Sequence, residues 1–285
     1  MLHLTIKKFI INNVPRRIKN TYYSYKKKKI KRQQTFYRGQ FFSIKEAREE
    51  SKQKELYLNN KITKATSIEI CNKLNKNNII ENYKFRIPSH ERTGFLLQLI
   101  IDLSFKKDEL KIIDYGGGEN PQYLYLKNEY RKKHQFFIVD TNELVELILK
   151  EKQSKNINFP ENLIFIKERD FIKTPSNADI VFFGSSLQYI EKSYSLIKKL
   201  AEQGCKMIII SESIFNESEN DFYTLQENKK NISFPNKWHS KQKFTDFMHS
   251  LSYEILASWS FQNFGLHQTI EKEKFGSHTF IFKKK

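Results

Sequence analysis

Two cysteines, Cys71 and Cys205, stand far apart in a chain of 285 residues. So few, so widely separated, they exclude a disulfide-stapled scaffold, a cysteine-rich zinc module and an iron–sulfur radical enzyme. Both read as reduced core thiols, and no metal is assigned. No apolar run reaches the roughly 20 residues that a membrane-spanning helix needs. No apolar segment with a small-residue cleavage site follows Met1, so a cytoplasmic location is expected. Internal repeats are lacking, as are low-complexity segments beyond the lysine runs. Acidic residues are missing from the first 45 positions, where 13 Lys or Arg stand.

That last absence explains the charge. The formal net charge is +18, yet residues 46–285 carry 37 basic against 32 acidic side chains. The excess is therefore an N-terminal arm, 1–35, densest at Lys26–Lys29, Lys31 and Arg32, and not a basic cleft. Interleaved with Phe9, Ile10, Tyr22, Tyr23 and Tyr25, such an arm suits an anionic membrane surface or RNA, or stands as a solvated tail. The whole chain, with 39% hydrophobic and 14% aromatic residues, reads as globular and not disordered.

Residues 36–109 read mainly as a helical extension, with helices over 42–54, 63–74 and 91–105. The last presents Phe95, Leu96, Leu99 and Ile100 on one face, and Pro88 and Ser89 mark its start. From Leu110 the pattern alternates. Strands are expected at 111–115, 136–140, 163–166, 180–183 and 207–211, and helices at 122–132, 142–152 and 192–202, the last closed by Gly204. This predicts a parallel sheet with right-handed crossovers. After an irregular stretch at 214–237 come a helix at 240–251 and two strands, 253–261 and 277–283, with no convincing helix between them. The fold class is therefore α/β: a Rossmann-like seven-stranded methyltransferase sheet, mostly parallel with an antiparallel final strand, over residues 110–285. Residues 212–240 form an insertion on the acceptor side.

The richest segment is Lys111-Ile-Ile-Asp-Tyr-Gly-Gly-Gly-Glu119, an apolar strand that runs into an acid and three glycines. A dinucleotide fingerprint needs a small residue where Pro121 stands. Asp114, Gly116 and Gly118 instead fit the Asp/Glu-x-Gly-x-Gly turn by which methyltransferases hold S-adenosyl-L-methionine, with Gly117 between them. Asp140 ends the second strand, where a carboxylate accepts hydrogen bonds from both ribose hydroxyls. Ligands of open α/β sheets bind beyond the carboxyl ends of the strands. Asp170 and Phe171 are thus placed for adenine, and Ser185 and Ser186 for the methionine half. Gln188, Tyr189, Tyr223, Gln226 and Trp238 are placed on the acceptor side.

Neither the Asn/Asp-Pro-Pro-aromatic signature of base-amine methylation nor a Pro-Cys nucleophile is present. That points to oxygen methylation of a smaller acceptor. Removing the hydroxyl proton calls for a base, for which His239, Glu212 and Asp221 are candidates.

Taken together, Phe36–Gly39, Ser43-x-x-Glu46-Ala47, Asp114–Gly118, Ser186–Tyr189 and Asp221–Gln226 resemble a family of class I methyltransferases associated with bacterial surface-polysaccharide biosynthesis. The resemblance runs from about residue 36 to the end. It implies S-adenosylmethionine as cofactor and a small-molecule or lipid-linked glycan acceptor; the arm lies outside it, and its own basic charge would suit the inner face of the cytoplasmic membrane if the acceptor is lipid-linked. An RNA methyltransferase anchored by the arm, or a scaffold that keeps the fold without turnover, are the alternatives.

Overall fold

The computed structural model describes residues 36–51, 60–74, 88–105, 109–118, 120–171, 173, 177–227, 233–261, 267–268 and 275–285. The basic arm lies outside the described residues.

Five parallel strands build the centre: β2 (Lys111–Tyr115), β3 (Gln135–Asp140), β4 (Leu163–Lys167), β5 (Ile180–Gly184) and β6 (Met207–Asn216). β2, β5 and β6 are buried on both faces and read as unbroken apolar runs, while β4 at the edge leaves Ile164 exposed. The order across the sheet is β4-β3-β2-β5-β6, and β11 (Phe275–Lys284) follows antiparallel to β6. Beyond it β9 (Tyr253–Phe261) pairs antiparallel with β11. These seven strands form the Rossmann-like methyltransferase sheet, with the final strand inserted in reverse next to the fifth. The strand order reverses at β2, which opens a crevice at the carboxyl ends of β2 and β5.

Alternate side chains along each strand serve opposite faces, and two cores result. Ile112, Phe136, Ile138, Phe182 and Ile209 pack against Ile70, Cys71 and Leu74 of α2 (Asn60–Leu74), Leu97 and Ile100 of α3 (Pro88–Ser104), and Leu144 and Ile148 of α5 (Asn142–Ser154). Ile113, Val181, Phe183, Ile208 and Ile210 pack against Ile197 and Leu200 of α7 (Ser193–Glu202) and Phe244 and Met248 of α8 (Lys241–Ser250). Cys71 and Cys205 lie in different cores, free and buried. The helices α2 and α3 thus cover one face of the sheet itself.

Local chemistry explains the helix ends. Ser43 accepts from Glu46 N at the start of α1 (Ile44–Glu50), while Glu46 Oε2 accepts from Phe42 N. Thr141 and Ser240 cap α5 and α8 in the same way. Gly204 takes φ +83 just past α7, with Cys205 N bonded to Leu200 O and Gly204 N to Ala201 O, a Schellman closure.

Three segments depart from the sequence reading. The helix expected over 122–132 is a 3₁₀ turn, Gln122–Tyr125, and a short α4, Asn128–Lys133, because Asp114 captures the Gln122 N–H and holds the chain in a turn. The stretch taken as irregular contains β7 (Phe222–Glu227) and β8 (Ser233–Ser240), paired antiparallel. Residues 36–41, assigned to the helical extension, form β1 (Phe36–Phe41), which pairs with β7 and with the two-residue β10 (His267–Gln268). Beyond the point where β5 ends at Gly184, β6 continues to Asn216, and β8 takes the vacated edge through Phe215↔His239 and Asn216↔Ser240. The added ladder β1-β7-β8 therefore stands over the carboxyl end of the parallel sheet.

Candidate functional site

The glycine turn is shaped by two carboxylates. Asp114, 1% exposed, accepts from Gln122 N through Oδ2 at 2.7 Å. Gly116 takes φ +78 and donates its N–H to Val139 O at 2.7 Å, so the chain turns across the end of β3. A Cβ there would sit 2.4 Å from Ser186 Cβ, which leaves room only for glycine where the β2 and β5 loops meet. Ser186 Oγ ties the same junction by donating to Tyr115 O at 2.5 Å. Gly117 lies against the Asp114 carboxylate. Gly118 donates its N–H to Asp140 Oδ2 at 2.8 Å, and Thr141 N donates to Oδ1 at 2.7 Å.

The electrostatics are unbalanced. Burial pushes the Asp114 carboxyl up to about 7; the Gln122 N–H opposes this and the Asp140 charge adds to it. Burial raises Asp140 as well, against the N–H groups of Thr141 and Gly118. Neither carboxylate makes an ion pair with a described residue. Two acids close together without a cation are costly, and a ligand with positive charge offsets that cost. A carboxylate has about four acceptor sites, so Asp140 keeps acceptor capacity for ribose hydroxyls beyond its bonds to Gly118 and Thr141.

Beyond β4, Asp170 lies on the exposed turn α6 (Glu168–Phe171) beside Arg169, 3.7 Å from its Nε. Phe171 corrects the sequence reading: it is buried in the second core, edge-on to Tyr115 with ring centroids 5.7 Å apart, and offers no face to an adenine. The sequence reading missed Glu168, which accepts from Tyr115 OH at 2.7 Å and adds negative potential near Asp140.

Beyond β5, Ser185 holds φ +54 with its N–H on Ser211 O, and its hydroxyl reaches Glu212 O at 3.4 Å. A side-chain residue in the left-handed region stores strain, a feature of active-site loops. Glu212 also has positive φ, +52, and lies at a bulge in β6 where the pairing with β11 slips between His278 and Phe280. Its carboxylate makes no bond with another described residue, and it is half-buried.

The other two candidate bases are structural. His239 is fully buried among Phe215, Phe244 and Tyr194, with Nε2 bonded to Ser193 Oγ at 2.8 Å. Burial, with Lys237 nearby, drives it down to about 3, so it is neutral and out of reach of an acceptor. Asp221 is consumed by Lys237 (3.5 Å), Lys243 (3.6 Å), Tyr194 OH and Ser240 N.

Cross-strand pairing sorts the remaining residues. Phe222↔Trp238 and Thr224↔Asn236 place their side chains on one face of the ladder, which Gln226 shares two residues further along β7. Tyr189 OH donates to Gln226 Oε1 there at 2.8 Å, which joins the β5 loop to the ladder, and Gln188 precedes it, 5% exposed. Trp238 is on this face but buried against Tyr37 and Phe222, an anchor and not a contact surface. Tyr223 points the other way, beside Lys237. Sequence patterning missed Thr224 and Asn236; once β7 and β8 are recognised, two-residue alternation finds them.

No family model matches the chain, and no curated protein sequence matches it. Among solved structures it is similar to magnesium protoporphyrin IX methyltransferase from Synechocystis PCC 6803 with bound SAH, at 10% identity and TM-score 0.46 over 77% of this chain and 100% of that one. A 1,6-didemethyltoxoflavin-N1-methyltransferase from Burkholderia thailandensis shows 10% identity and TM-score 0.44, covering 82% and 93%. The [4+2]-cyclase SpnF shows 9% identity and TM-score 0.45, covering 67% and 80%. Likenesses this distant argue nothing about the reaction. The strand order and the glycine turn establish the architecture, a Rossmann-like methyltransferase sheet.

Proposed function

We propose that the chain is an S-adenosylmethionine-dependent methyltransferase that acts on a hydroxyl of a small or lipid-linked glycan acceptor in surface-glycan biosynthesis. The observation that carries the cofactor is the pair Asp114 and Asp140, held beside a three-glycine turn at the crevice of the sheet, with no cation among the described residues to balance it. Asp140 would bind the ribose hydroxyls. Gly116–Gly118 and Ser185–Ser186 would line the path of the methionine half, and Asp114 would hold the turn and offset positive charge. When bound, the cofactor supplies an activated methyl group for in-line displacement.

The chain's own task is then alignment and removal of one proton. Glu212, alone of the three candidate bases, keeps an uncommitted carboxylate, and its bulge lies next to Ser185. Oxygen methylation is favoured because no base-amine signature or nucleophilic cysteine follows β5: the segment there is Gly184-Ser-Ser-Leu-Gln-Tyr189. The glycan setting rests on the family resemblance. A lipid-linked acceptor also gives the arm a role, as an anionic-membrane anchor. Among the described residues no helix is long and apolar enough to cross a membrane.

The experiment is incubation with radiolabelled S-adenosylmethionine and separated glycan-lipid, RNA and protein fractions. Label in the glycan-lipid fraction supports the reading. Label in RNA alone replaces it with the nucleic-acid alternative, and cofactor binding without transfer to any fraction leaves a scaffold.

A further inference from the structure

The ladder face that meets the β5 loop carries polar groups that the described fold leaves unfinished. Thr224 and Asn236 oppose each other across β7 and β8 and are both fully buried. Asn236 Nδ2 donates to Gln226 Oε1 at 2.9 Å, the same oxygen that receives Tyr189 OH. Its amide nitrogen is thereby committed, and Asn236 Oδ1 has no hydrogen-bond partner; nor has Thr224 Oγ1. Gln188 is in the same state. Its Nε2 donates to Ser185 O at 2.8 Å, which sets the amide orientation, and its buried Oε1 meets no donor.

A buried polar atom left without a partner costs about 1–3 kcal/mol and calls for an explanation. Here three such atoms belong to β7, β8 and the turn after β5, which the Tyr189–Gln226–Asn236 chain joins, next to the serines that pack on the glycine turn.

We infer that Gln188, Thr224 and Asn236 form the acceptor-recognition site and read the hydroxyl donors of a small polyol ring. This rests on the methyltransferase reading, which supplies the term acceptor. Two of the three atoms are carbonyl oxygens and only accept, so the ligand must donate; a threonine hydroxyl does either. An acceptor presenting carboxylate or phosphate would set lone pairs against lone pairs and is rejected. The three groups carry no charge, so a neutral donor fits them better than an ammonium. Several neutral donors on one compact frame describe a sugar or cyclitol ring. Tyr189, 36% exposed, stands at the solvent edge of the chain of bonds, and its bond to Gln226 opens to admit the ligand.

The test uses the full chain saturated with S-adenosylhomocysteine. The side-chain amide resonances of Gln188 and Asn236, assigned through Gln188→Met and Asn236→Leu, are followed during titration with methyl hexopyranosides, methyl pentopyranosides and myo-inositol. Saturable movement of both amides with at least one polyol is expected. Thr224→Val should weaken that binding about ten-fold and raise the melting temperature, because it removes an orphaned hydroxyl. It should leave affinity for S-adenosylhomocysteine unchanged.

Amides that stay still with every polyol, while S-adenosylhomocysteine binds normally, overturn the inference and leave the methyltransferase reading intact. So does a Thr224→Val protein that melts higher yet binds the polyol as before, since the hydroxyl is then only a packing defect. Failure of S-adenosylhomocysteine to bind overturns both.

Discussion

Gly118 donates its backbone N–H to Asp140 Oδ2 at 2.8 Å, and a Cβ at Gly118 would lie 2.5 Å from that oxygen and 2.6 Å from Leu144 Cδ2. The glycine turn and the end of β3 are thus fitted to each other. Gly118→Ala must push the carboxylate or α5 aside. The expected cost is about 1–3 kcal/mol of stability, read as a lower melting temperature, with S-adenosylmethionine affinity reduced at least ten-fold by calorimetry.

The pH dependence follows from Asp114. Its carboxyl is at about 7 in the fold and at about 4 in an unfolded chain. An acid raised on folding favours the fold when protonated. Its contribution is full below about pH 4, falls as pH rises, and is gone above about pH 7. Asp140, also raised, has the same sign. The ligand-free protein should therefore melt progressively lower from pH 5 to pH 8, and Asp114→Asn should flatten that slope. Binding of a cationic cofactor runs the other way. Its affinity should rise with pH, by no more than about ten-fold per unit for one proton.

Of the three candidate bases, the structure leaves Glu212 uncommitted and encloses His239. His239 is held at about 3, below its unfolded value near 6.5, so its contribution to stability is full above about pH 6.5 and is lost as pH falls toward 3. His239→Gln breaks the bond to Ser193. It should cost about 1–2 kcal/mol, shift acid unfolding, and leave kcat and its pH profile alone. Glu212→Gln should lower kcat by about 10²–10⁴ with cofactor affinity unchanged. Steady-state kinetics of the two variants side by side decides between them.

The arm is tested by sedimentation. Residues 1–35 carry 11 Lys or Arg and no acid. Each basic side chain near an anionic surface contributes about 1 kcal/mol. The full chain should sediment with anionic liposomes at low salt and release at high salt. A chain beginning at Thr35 should stay in solution yet bind S-adenosylmethionine. Equal sedimentation of both removes the membrane role.

The central strands were legible because each is an apolar run ended by a telling residue: Asp114, Asp140 or Gly184. Burial on both faces leaves that mark in any sequence. The ladder β7–β8 was not legible. Its apolar positions, Phe222, Leu225 and Trp238, are mixed with buried Thr224, Asn236 and Lys237, and no period-2 pattern survives. Asn236 is held by Gln226 and Lys237 by Asp221 and Tyr194, which is tertiary information. His239 misled for a related reason. Its ordinary pKa suits a base, but Ser193, Tyr194, Phe215 and Phe244, on three other elements, enclose it, and none of them is adjacent in sequence. The glycine turn is legible in the sequence because steric exclusion at Gly116 and Gly118 is local to the motif and its facing side chains.

Calorimetric titration of the full chain with S-adenosylmethionine, repeated on Asp140→Ala and Gly116→Val, tests the central claim most directly. Saturable binding by the native chain and its loss in both variants, each still folded by circular dichroism, is the expected result. No binding by the native chain, or undiminished binding in both folded variants, would contradict it.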